Sequence, residues 1–357
     1  MARRSESQGF IVEVEDADGL KGFGEGTPRD YVTGETVAAS ENAATKLSQI
    51  FIGKTFKEQK DLLSFLEEAG NARLAMDHPS AFCALEIAVL DLFARKRNVP
   101  LWGLFVKKPA VDSLTYSSVL PLLDQNQRSK FLGLTGKLGL DHVKAKVSNK
   151  DQAVELVHEI FTILGPETDL RLDANGAFSW DEAVRAIEDI RKMGLRVSAF
   201  EQPVPKGDLD GLKRVEKQSS IPVIADESAC TLEEMGTIIS NGICSGLSIR
   251  LSKCGGILKC IKAIKMAKEA GLFCQLGCHV GETSILAAAG RQLASICGPF
   301  KYTEGSYSKF VLGTDITETP CEFSFGGHAK IPVGPGLGID VSKNLLSSCS
   351  QLISETV

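Results

Sequence analysis

Lys144 and Lys146, then Asp173, Glu201 and Asp226, then Arg250 fall along the chain at intervals that suit one shared site. From Lys146 the steps are 27 residues to Asp173, 28 to Glu201, 25 to Asp226 and 24 to Arg250. Each residue closes a short apolar run that reads as a strand, and an amphipathic stretch that reads as a helix follows. If the strands are parallel, the charged ends converge. Three carboxylates brought together repel one another unless a cation sits among them. Oxygen ligation without His or Cys suits a hard divalent ion, most simply Mg2+, with Mn2+ as an alternative. Lys144 and Lys146 are two apart and share a strand face, which looks into the barrel because Val143, Ala145 and Val147 must cover the helix side. The metal and Lys144 could then hold a substrate carboxylate and its developing enolate while Lys146 removes the α-proton. The ion and neighbouring cations are expected to pull a lysine pKa down toward a working value. One charged strand end usually does no more than solvate the strand; five successive ends in register require another reason.

The elements that must position these groups form two patterns. Phe10–Glu15 and Leu20–Phe23 flank Asp18-Gly19 as a hairpin, followed by helical patterns at Thr36–Phe51, Phe56–Ala69 and Pro79 to about Arg97. From Ser113 onward, strands at His142–Val147, Asp169–Asp173, Val197–Glu201, Ile221–Asp226, Gly246–Arg250, Leu272–Gly277 and Phe300–Glu304 alternate with helices. Those helices are read at Asp151–Leu164, Ser179–Met193, Thr231–Ser240, Ile257–Ala270 and Thr283–Cys297, with capping boxes at Ser179/Glu182 and Thr231/Glu234. A repeat near 25 residues implies parallel strands joined by right-handed crossovers. So many units favour a closed α/β barrel over an open doubly wound sheet. The expected organisation is an α+β capping domain over 1–112, the barrel over 113–314 and a Gly/Pro-rich return to the capping domain over 315–357.

Composition narrows the partners. The 357 residues carry 40 Lys+Arg against 45 Asp+Glu, a net charge of −5, which argues against nucleic acid or an anionic membrane surface. No apolar run is long enough to span a bilayer, and the opening MARRSESQGF lacks the apolar core of a secretory signal. Ten cysteines without a CxxC pair read as reduced, mostly buried thiols, so a cytoplasmic location is expected.

The series KAK (144–146), LDANG (172–176), FEQP (200–203), ADES (225–228) and CGG (254–256) resembles the enolase superfamily, and more closely its muconate-lactonizing subgroup. GFGEGTP…YVTGET (22–36), PSAFCALEIAVLDLFARKRNVPLWGLF (79–105) and PVGPGLGI (332–339) are similar as well, so the resemblance covers nearly the whole chain. It implies a modified (β/α)7β TIM-like barrel, a symmetric homo-oligomer and one Mg2+ per subunit on Asp173, Glu201 and Asp226. It makes Lys146 the base on one face of a small carboxylate substrate and Lys144 its support. Glu227 should point to the other face. The implied activity is epimerisation or racemisation of an amino-acid derivative, dipeptides first.

Three departures bear on that activity. In the racemases and epimerases of the subgroup, a lysine on the next strand serves the second face; here that position is Arg250, which stays protonated. Lys253, three residues on, belongs to the opposite strand face or the turn, and replaces it only if the strand end twists. The Asp-x-Asp with which dipeptide epimerases bind the α-ammonium is missing from EGSYSKF (304–310), leaving Glu304 to do part of that work. The family's first strand and mobile loop are expected to be absent, so that the gene model is truncated or the site more open. Further candidates are His279, as an acid or substrate ligand, and Glu282, as an orienter of Lys or Arg. A one-base lyase or cycloisomerase, and a catalytically silent metabolite-binding relative, are the rival readings.

Overall fold

The computed structural model describes residues 8–355. β1 (Phe10–Glu15) and β2 (Lys21–Gly26) pair antiparallel, as the hairpin signal requires. The long helix Pro79–Lys96 packs across β2. Glycine makes this approach possible: a Cβ at Gly24 would lie 1.9 Å from the Ala84 carbonyl oxygen, and one at Gly22 2.3 Å from that of Ala88. The GxGxG of this strand therefore serves helix–strand packing. Helices Val37–Ser48 and Gln59–Gly70 complete the unit around Leu47, Phe82 and Leu85.

After β3 (Ser113–Thr115) come eight parallel strands: β4 (Ser118–Leu120), β5 (His142–Lys146), β6 (Asp169–Asp173), β7 (Ala199–Glu201), β8 (Val223–Ala225), β9 (Gly246–Ile249), β10 (Phe273–Leu276) and β11 (Tyr302–Thr303). They lie side by side in chain order. The Ser117 N–H donates to the Thr303 carbonyl at 2.9 Å and ties the two edges, closing the barrel. Helices cover the outside, and both expected capping boxes form at Ser179/Glu182 and Thr231/Glu234. Val143, Ala145 and Val147 are buried on the helix side of β5, leaving Lys144 and Lys146 to the interior.

Two helices of more than ten residues have no counterpart in the sequence reading: Gln125–Lys137, with two internal glycines and a polar start, and Leu209–Ser219, which carries Gly211 in its first turn. β12 (His328–Lys330) pairs antiparallel with β3. The segment beyond it returns to the first unit, where Gly336 exchanges backbone bonds with Val99 and Leu101, and Leu337 N–H donates to Asp91 Oδ1 at 2.7 Å. All ten cysteines are free thiols. Among the described residues no helix is long and apolar enough to cross a membrane.

Candidate active site

The C-terminal strand ends gather the charged residues. Asp173 and Glu201 are register partners at the ends of β6 and β7, and Asp226 follows β8; all three are fully buried. Lys144 reaches across from β5, donating to Glu201 Oε2 at 2.9 Å and Glu304 Oε2 at 2.7 Å, with Asp173 Oδ2 at 3.3 Å. Lys146 donates to Asp173 Oδ2 at 3.2 Å and to Asn175 Oδ1. Asn175, in the left-handed region at φ 43°, passes the contact on by donating to Glu227 Oε1 at 2.9 Å.

Arg250, at the end of β9, puts its guanidinium on Asp226 and on Glu201 Oε1 at 3.4 Å. Its stem lies along Gly277, where a Cβ would come within 3.1 Å of Cγ. Lys253 does not extend the strand. It belongs to a helical turn, Leu251–Cys254, that folds it back to Asp226 Oδ1 at 3.0 Å, the Asp226 carbonyl at 3.0 Å and the Ser248 carbonyl at 2.6 Å. All three ammonium protons are thus engaged in full burial, with Asp226 as the counter-charge.

Electrostatics set the protonation states. Burial opposes charge on Lys144, yet Glu201, Glu304 and Asp173 raise its pKa above the ordinary lysine value. Burial likewise disfavours the Asp173 carboxylate, but Lys146 and Lys144 hold it down at about 2. Asp226 is lowered further by Arg250 and Lys253 against the same penalty. Glu201 goes the other way: burial raises it, and Asp173, Glu304 and Asp226 add to the rise. Burial and the charges of Asp226 and Asp173 push Glu227 up to about 7.

The donor set suits a hard divalent ion, since all three carboxylates are buried oxygen ligands on adjacent strands and Glu201 is strained by its like-charged neighbours. Their charge is balanced here by Lys144, Arg250 and Lys253, so among the described residues no three ligands stand as a closed metal shell. An entering ion would displace ammonium or guanidinium contacts.

Two sequence candidates take different partners than expected. Glu304 accepts from Lys144 at Oε2 and from Arg171 at Oε1 at 3.2 Å, so each oxygen already has one cationic partner. Glu282 accepts from the His279 backbone N–H at 2.7 Å instead of orienting a lysine or arginine, and burial pushes it up to about 8. The His279 ring is pinned to Thr27, and burial, with Arg250 and Arg29 beside it, holds its pKa well below the usual histidine value. Arg171 and Gln275 were not singled out from the sequence. Arg171 lies inside the barrel on β6, bonded to Gln275, which donates to Glu201 Oε2 at 2.9 Å. Strand parity with Asp173 was the available signal for Arg171. Gln202, at φ 34°, accepts from the backbone N–H of Asp226 at 3.0 Å and of Ser228 at 3.1 Å, fixing the turn that aims Asp226.

The chain as a whole is similar to known proteins. The chain is 32% identical over 288 residues to a hydrophobic dipeptide epimerase of Enterococcus faecalis, covering 80% of this chain and 78% of that one. It is 25% identical to an N-succinyl-L-Arg/Lys racemase of Bacillus cereus over 96% of this chain and 90% of the relative. The crystal structure of the dipeptide epimerase from Enterococcus faecalis V583, complexed with Mg and the dipeptide L-Leu-L-Tyr, superposes with a TM-score of 0.85 at 29% identity, covering 94% of this chain and 92% of that one. A family model described as "Mandelate racemase / muconate lactonizing enzyme, N-terminal domain" matches residues 1–105, and one described as "Enolase C-terminal domain-like" matches 133–345. The chain belongs to the mandelate racemase/muconate lactonizing family of the enolase superfamily.

Proposed function

We propose that this protein epimerises or racemises an N-acylated amino acid, dipeptides first, by removing the proton α to its carboxylate. The reading rests on one observation above the others: Lys146 stands beside three fully buried strand-end carboxylates in a chain whose relatives are named epimerases and racemases. Asp173, Glu201 and Asp226 would hold Mg2+, which supplies positive charge to the substrate carboxylate as the enolate forms. Lys146, whose side chain is 20% exposed while that of Lys144 is 3% exposed, is the lysine open to the mouth; as the neutral amine it takes the proton and becomes the ammonium. Asn175 aims it. Lys144 stays charged and adds its field to the substrate carboxylate.

A second reading has its own support. Arg250 is fixed to two carboxylates, which keep it protonated although burial opposes its charge, so Lys146 is left as the residue placed to move a proton. A one-base lyase or cycloisomerase needs no more than that. Proton exchange in D2O separates the readings. With Mg2+ and a set of dipeptides and N-acyl amino acids, deuterium at the α-carbon with inversion is the expected result. Exchange with retention moves the assignment to one-base chemistry, and no exchange in any compound of the set refutes both.

A further inference from the structure

One polar atom at the barrel mouth is used neither by the fold nor by the chemistry above. His279 follows β10 and is 2% exposed. Its Nδ1 lies 2.8 Å from the Thr27 carbonyl oxygen and 3.2 Å from Thr27 Oγ1. A carbonyl only accepts, so Nδ1 carries the proton and donates. Nε2 is therefore a lone-pair acceptor, and among the described residues this buried atom has no hydrogen-bond partner. Buried acceptors are rarely left without a donor.

The surroundings define what that donor is. Arg250 and Arg29 are close enough to oppose a positive charge on the ring. The same field disfavours a substrate ammonium at Nε2 but does not penalise a neutral N–H. Of the other acceptors at the strand ends, Glu304 already takes a bond at each oxygen, and the unpartnered Glu227 Oε2 belongs to the group beside Asp226 and Asp173. A neutral donor that fits this acceptor is the amide N–H of an N-acylated amino acid, which is bonded to the carbon that loses its proton. This rests on the function proposed above.

We propose that His279 Nε2 accepts a hydrogen bond from the substrate's amide N–H, so that the site recognises a secondary amide in preference to an ester. His279 is then a substrate-binding residue with a specificity role. Its backbone is steadied by Glu282 and its ring by Thr27.

The test compares a dipeptide with its depsipeptide, in which oxygen replaces the amide N–H. Kcat/KM for α-deuterium incorporation is measured with Mg2+ for wild type, His279→Phe and His279→Gln, each rate divided by the compound's base-catalysed exchange in solution. Wild type is expected to favour the amide by about 10- to 100-fold, as for loss of one buried hydrogen bond. His279→Phe should collapse that preference to within about threefold, mainly by losing rate on the amide, while His279→Gln, which keeps an acceptor, retains part of it. Equal losses on both compounds would make His279 only a strut between Thr27 and the barrel and overturn the proposal. If the Phe variant does not fold, wild type alone still decides, since equal normalised rates for the two compounds overturn it. No exchange from either compound overturns the proposed function and this inference with it.

Discussion

Lys253→Met separates a structural cation from a catalytic base. Met keeps most of the aliphatic stem and removes the charge that sits 3.0 Å from Asp226 Oδ1. Both residues are fully buried, so the variant leaves Asp226 with Arg250 as its main compensation. Breaking a buried pair from one side costs about 3–5 kcal/mol. At about 2–4 °C per kcal/mol for a large domain, melting should fall by roughly 6–20 °C. The sign of the pH effect follows from Asp226, whose folded pKa is depressed below the 3.8 of the free group. Its contribution is present above that value and is lost as pH falls through the folded value. In the variant Asp226 takes up its proton at higher pH, so the gap to wild type is widest near neutrality and narrows in acid. Mg2+ should stabilise the variant more than wild type, because the ion supplies the missing charge. Differential scanning calorimetry from pH 4 to 8, with and without Mg2+, reads all of this. A variant that melts like wild type but loses proton exchange at one face of the substrate would refute the reasoning and make Lys253 a base.

Other outcomes follow from specific contacts. Arg250→Lys places a titratable amine where the guanidinium now meets Asp226 and Glu201, and α-proton exchange with inversion should rise at least tenfold if the second face is limited by this residue; chiral analysis in D2O reads it. Glu86 accepts from Ile257 N–H and Leu258 N–H, and burial pushes it up to about 8. Between its ordinary 4.5 and that value the folded state binds a proton the unfolded chain has released, so stability falls as pH rises. Glu86→Gln should therefore flatten that decline and melt above wild type at pH 9. Gly24→Ala forces a methyl against the Ala84 carbonyl, 1.9 Å away, and should cost about 1–3 kcal/mol or more in urea unfolding.

Much of the architecture was legible because barrel strands and helices repeat with a regular step, which put Asp173, Glu201 and Asp226 at equivalent strand ends. Residues off that grid were not. Lys253 defied strand parity because the chain leaves β9 in a helical turn, followed by Gly255 and Gly256 at φ 82° and 103°. Asn175 and Gln202 act through left-handed backbone that no periodicity announces. The upward shift of Lys144 depended on which side chains cross the barrel: Glu201 is the largest cause of the rise, and Glu304, from a strand far along the chain, adds to it. Glu282 and Glu304 were picked out as charges near the mouth, but partner choice is set by distances that sequence spacing does not encode.

Asp91 gives the molecule a constraint in time as well as in space. Its carboxylate accepts from Phe23 N–H at 3.0 Å and from Leu337 N–H at 2.7 Å, with Arg95 alongside. One side chain thus staples the first hairpin to the last part of the fold. While a nascent chain emerges from the ribosome, the hairpin and the Pro79–Lys96 helix can pack early, but half of this buried junction waits until the whole barrel has been made. Until then Asp91 lacks its Leu337 partner, and the first unit is under-stabilised. High contact order of this kind slows folding and prolongs exposure of the unfinished surface. Removing the chain from about residue 332 onward should therefore loosen the N-terminal unit while sparing the centre of the barrel, a pattern that hydrogen exchange would resolve segment by segment.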